Sequence, residues 1–145
     1  MKMNILIAVV LFQCAALLTA CDDTLDIQQA YDFKVETMPV QSKIIKGETA
    51  EIRCTLIRSG RFEEDTYTIR YFQPSGKGSL KMDDGTILKP NDRYPLTKEV
   101  FRLYYTSQSI DQQKIDIVVE SKTGKRYEMS FSFNNDSNGK EDTPE

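Results

Sequence analysis

Leu18, Thr19, Ala20 and Cys21 form the one run in this chain whose spacing prescribes a reaction. A Leu three residues before a cysteine, with two small residues between them, is the pattern cut by lipoprotein signal peptidase. The cut frees a cysteine amino terminus that carries acyl chains. Lys2 and the apolar stretch from Ile5 to Leu18 supply the basic start and hydrophobic middle of a bacterial secretory signal. A membrane-spanning helix is the competing reading, but the stretch falls short of about 20 apolar residues and Gln13 interrupts it. Residues 1–20 are therefore expected to be a signal peptide and Cys21 the lipidated residue. Two or three chains on one cysteine hold a domain on a bilayer, where a single chain binds only marginally.

No other residues assemble so readily into chemistry. The chain contains no His, which removes the usual base for a thiol or hydroxyl nucleophile. Cys14 leaves with the signal and Cys21 takes lipid, so Cys54 stands alone and no intramolecular disulfide is expected. Paired carboxylates are the remaining option, at Glu63-Glu64-Asp65 and at Asp83-Asp84. Both fall in predicted loops, where neighbouring side chains diverge into water. Asp83-Asp84-Gly85 reads as turn chemistry and lacks the alternating oxygen ligands of a calcium loop. The expectation is no catalytic residue, no metal and no cofactor. Of the 145 residues, 22 are acidic and 19 are Lys or Arg, a net charge of −3 that becomes −4 once Lys2 is removed. Nucleic-acid binding wants clustered cations and is not expected.

The elements that would position any site follow a period of two. Phe33 and Val35 open a first run, and Ala50, Ile52, Cys54 and Leu56 share one face of a second. Tyr67, Ile69 and Tyr71, then Phe101, Leu103 and Tyr105, then Ile115, Ile117 and Val119 continue it. A last run puts Tyr127, Met129, Phe131 and Phe133 inside. Lys122-Thr123-Gly124-Lys125 and Asp84-Gly85 read as hairpin turns. The mature chain of 125 residues (145 less 20) suffices for one domain. The predicted organisation is a polar tether over 21–30, a β domain over 31–134 and a loose acidic tail over 135–145. The domain is expected to be all-β, an immunoglobulin-like or fibronectin-III-like sandwich of about seven antiparallel strands, with an eight-stranded barrel as the alternative.

Alternation also turns Arg70 and Phe72 outward on one strand, and Arg102 and Tyr104 on another. Guanidinium and aromatic groups of this kind are enriched where interfaces concentrate their energy. These four residues are the candidate protein-binding set, to be weighed against an ordinary solvated sheet face.

Several segments carry a family resemblance: Asp26-Ile27-Gln28-Gln29, Met38-Pro39-Val40, Gly47-Glu48 with Glu51-Ile52-Arg53, Ile69-Arg70-Tyr71-Phe72-Gln73, Gly76-Lys77-Gly78, Pro90-Asn91-Asp92, the run from Phe101 to Ser109, and Phe131-Ser132-Phe133-Asn134-Asn135. Together they resemble the conjugative transposon TraQ family of Bacteroides and its relatives, over nearly the whole mature chain. The resemblance implies an immunoglobulin-like lipoprotein encoded with conjugal transfer genes, and it brings no catalytic residues. The expected function is a non-enzymatic envelope component of the transfer apparatus, acting by protein binding without direct contact to nucleic acid or a small-molecule substrate. A surface carbohydrate-binding or adhesion lipoprotein is the alternative, weakened by the absence of Trp. The expected location is the outer membrane, lipid-anchored on the periplasmic or the cell-surface side, and Asp22-Asp23 directly after the lipid adds an expectation of export to the outer leaflet.

Overall fold

The computed structural model describes residues 30–136. Ten strands follow one another: β1 (Phe33–Thr37), β2 (Lys43–Ile44), β3 (Thr49–Arg58), β4 (Tyr67–Ser75), β5 (Gly78–Met82), β6 (Ile87–Leu88), β7 (Tyr94–Leu96), β8 (Val100–Ser107), β9 (Gln113–Ser121) and β10 (Arg126–Asn135). They form two five-stranded sheets, β1-β3-β8-β5-β6 and β2-β10-β9-β4-β7, and no helix occurs among the described residues. The all-β expectation holds, but the strand count exceeds the seven expected. β2 and β7 are only two and three residues long, too short for alternation to register, and β7 contains Pro95. The sheets stay separate, so the barrel alternative is not formed. The signal, most of the tether including Cys21, and the tail beyond Asp136 lie outside the described residues.

One pairing departs from the antiparallel expectation. β1 pairs with β3 in the first sheet, after which the chain crosses and β2 pairs parallel to β10 in the second, matching only Asn134 and Asn135. Short connections argue for antiparallel neighbours, whereas here the five residues between β1 and β2 carry the chain from one sheet to the other.

Period-two burial builds the core as the sequence indicated. Ala50, Ile52, Cys54 and Leu56 face Phe101, Leu103 and Tyr105 within one sheet, and Ile69, Tyr71, Ile115, Ile117, Val119 and Phe133 line the other. Tyr105 stacks on Phe133 with ring centroids 5.0 Å apart, joining the two layers. Cys54 is a packing residue: burial pushes its thiol up to about 12. Tyr127 and Phe131, expected inside, are only half-buried, because β10 lies toward the sheet edge.

Both predicted turns are present. Each is a three-residue loop closed by its flanking residues, Met82 with Thr86 and Ser121 with Lys125, and Gly85 and Gly124 take φ of 91° and 90°, the left-handed position that ends such a loop and favours glycine. Thr86 N–H donates to Asp84 Oδ1 at 2.9 Å, which holds the Asp84 carboxyl below its ordinary range and accounts for the Asp83-Asp84 pair as turn chemistry. At the start of the described chain, Ser59 N–H donates to the Asp32 carbonyl at 2.8 Å and Lys125 pairs with the Asp32 carboxylate at 2.8 Å. The tether thus enters beside the β3–β4 and β9–β10 loops, at one end of the strands.

Candidate interaction surfaces

The four candidate binding residues divide between the two sheets. Arg70 and Phe72 lie on β4, on the outer face of the second sheet; Arg102 and Tyr104 lie on β8, on the outer face of the first. Each pair is its own surface.

On the second sheet, register places Thr68, Glu120 and Arg126 in one row and Arg70, Val118 and Glu128 in the next. Glu120 receives three guanidiniums: Arg93 at 2.8 Å, Arg70 at 3.1 Å, and Arg126 across the hairpin. Hydrogen bonds from Arg93 and Arg126 lead the causes that hold its carboxyl down to about 2. Arg70 also sits over the Phe72 ring, 5.2 Å from its centroid. The side chain nominated for a partner is therefore committed within the fold. Sequence reasoning missed Glu120 and Arg126, although the Lys122–Lys125 turn sets them opposite each other; Arg93, before a three-residue strand, left no periodic signal.

The first sheet repeats this economy on a smaller scale. Arg53 and Arg102 are direct cross-strand partners, and like charges so placed repel. Glu51 lies between them, 3.1 Å from each. Tyr104 stands between Glu51 and Lys81 in register, with the Lys81 ammonium 5.7 Å from its ring.

A buried polar network closes the sandwich at the end opposite the tether. Tyr105 O–H donates to Gln113 Oε1 at 2.6 Å, Gln113 Nε2 donates to Ser107 Oγ at 2.7 Å, and Gln73 Nε2 donates to Tyr105 Oη at 3.0 Å. A Cβ on Gly76 would lie 2.4 Å from Gln113 Cγ, and one on Gly78 would lie 2.3 Å from Tyr105 Oη. Packing thus explains the Gly76-Lys77-Gly78 segment. Beyond it opens a cleft of about 460 Å³ lined by residues that include Lys46, Lys77 and Ile110.

The acidic cluster in the β3–β4 loop is corrected in part. Glu63 and Glu64 are exposed, but Asp65 is buried with its Oδ1 unpartnered, where a solvated loop charge was expected. Among the described residues no group of three His, Cys, Asp or Glu could hold a metal ion.

Fold and surfaces together define a two-layered β domain whose outward charges are largely satisfied by one another. The chain belongs to the TraQ conjugal transfer protein family, whose model matches residues 4–136. It is 52% identical to a conjugative transposon lipoprotein from Bacteroides eggerthii, covering 73% of this chain and 100% of that one, with a TM-score of 0.69. It is 55% identical to a lipoprotein from Bacteroides thetaiotaomicron over 86% of this chain and 99% of that one, with a TM-score of 0.68. A conjugate transposon protein from Bacteroides vulgatus is 52% identical over 85% of this chain and 97% of that one, with a TM-score of 0.66. Curated proteins yield no match. The family is one of transfer lipoproteins associated with the envelope, and it is not a known enzyme class.

Proposed function

We propose that this chain is a non-enzymatic lipoprotein of a conjugative transposon, anchored to the outer membrane through Cys21 and acting in conjugal transfer by binding other envelope proteins of the apparatus. Family membership over residues 4–136 carries the reading. The identity to lipoproteins from Bacteroides eggerthii and Bacteroides thetaiotaomicron supports the anchor, and the absence of His in the whole chain supports a binding role over catalysis. Arg102 and Tyr104, both on one face, remain candidate contacts with a partner; Arg70 and Phe72 are candidates on the other face, with Arg70 tied to Glu120. We also read the fold as immunoglobulin-like, since its first strand is split between the two sheets as β1 and β2.

Deleting the gene from its element tests the function directly. Conjugation frequency should fall while donor growth is unchanged, and the intact gene in trans should restore it. Unchanged transfer, with glycan binding by the purified domain, would select the carbohydrate-binding alternative.

A further inference from the structure

Two of the segments that carry the family resemblance, Met38-Pro39-Val40 and Phe131-Ser132-Phe133-Asn134-Asn135, are far apart in sequence and meet at a place no surface above accounts for. A cleft of about 370 Å³ lies between the chain from Thr37 to Ser42 and Ser130, Phe131 and Ser132. Met38 is 58% exposed, and Val40 and Phe131 are half-buried.

The cleft adjoins an open strand edge. Asn134 N–H donates to the Ser42 carbonyl at 2.8 Å, which shows that even-numbered residues of β10 point their backbone groups away from β9. By the two-residue period, the N–H and C=O groups of Arg126, Glu128, Ser130 and Ser132 face the same way. β2 covers only Asn134 and Asn135, so these four residues have no strand partner among the described residues. Unpaired edges of this length template the addition of another strand.

We propose that the β10 edge from Arg126 to Ser132 receives an extended segment of another envelope protein as an added strand, with an apolar side chain seated among Met38, Val40 and Phe131. The inference rests on the protein-binding reading and names its surface. Charge describes the segment further. Arg126 is committed to Glu120, and the nearby Lys34 and Glu36 pair with each other at 2.6 Å. Glu128 is exposed and makes no ion pair among the described residues, so the segment carries a Lys or Arg opposite it. A second copy of this chain does not fit. Set antiparallel along the whole edge, its β10 would carry the Ser121–Lys125 turn onto β2.

Ser130 permits a selective test, because its N–H serves the edge and not the β9 ladder. Ser130→Pro removes that donor together with the hydroxyl, and Ser130→Ala removes the hydroxyl alone. Proline is tolerated on an edge strand in this orientation. The full-length lipoprotein in donor cells would carry the photo-crosslinker p-benzoylphenylalanine at position 38, and, in separate strains, at 72 or 104. Crosslinks from position 38 should map to one extended segment with a basic residue near an apolar one. They should persist in Ser130→Ala and fall about tenfold or more in Ser130→Pro, as expected for a lost ladder hydrogen bond, with circular dichroism unchanged. If the proline variant unfolds, Met38→Glu with the crosslinker at position 132 gives the same reading: lost crosslinks support the edge, and retained ones overturn it. Crosslinks that survive Ser130→Pro in a folded protein, or that arise only from 72 or 104, overturn the edge and leave protein binding standing. No crosslink from any position overturns both.

Discussion

Glu120 shows how a single carboxylate organises a sheet face. Arg70, Arg93 and Arg126 would repel one another without it, and their hydrogen bonds hold its carboxyl down to about 2 against an ordinary 4.5. A depressed carboxyl stabilises the fold fully above its ordinary range and loses that contribution as pH falls from about 4.5 to about 2. Urea unfolding of the wild type should therefore weaken across that window. Glu120→Gln should lower the midpoint at neutral pH and flatten the acid limb; an equally steep limb in the variant would remove Glu120 from the account. Among single residues, Cys54 was legible because alternation with Ile52 and Leu56 assigns it inward. Asp65 was not, since the burial of a loop side chain leaves no period to read.

Strand β10 marks the line between what pattern reveals and what it hides. Its alternation announces a strand, and the glycine turn before it announces a hairpin with β9, both as found. Which strand covers its other side depends on the crossing from β1 to β2, a long-range event carried by a two-residue strand with no periodicity of its own. The same limit explains why β4 and β8 fell in different sheets without any sign of it in the sequence. Position along this edge also grades the aromatic residues of one face. Phe133 is fully buried and stacked on Tyr105, so Phe133→Ala should cost about 3–5 kcal/mol. Phe131, half-buried beside the open edge, should cost distinctly less. Chemical denaturation of the two variants compares them directly, and equal losses would mean that the edge is covered in solution.

At the scale of the whole molecule, the proposed anchor and the domain are joined by a short stretch. From Cys21 to Ala30 the chain reaches at most about 30 Å when extended, so the domain stays near its membrane. Cys21→Ala should release the protein into the soluble fraction or leave it unprocessed; fatty-acid labelling of the membrane fraction reads the result. An unchanged, labelled, membrane-bound form would rule out the anchor at this residue.

The tether enters at the Phe33 end of β1, and β1 is held to β3 by five consecutive register pairs, Phe33 with Arg58 through Thr37 with Cys54. A pull on the proposed lipid anchor would run along the axis of β1, and its ladder would meet that force in shear, with all its hydrogen bonds loaded together. A load across the ladder would instead open the bonds one after another. With the proposed anchor in place, the first strand would serve as a mechanical fastening, oriented to resist tension between a membrane and a partner that grips the domain.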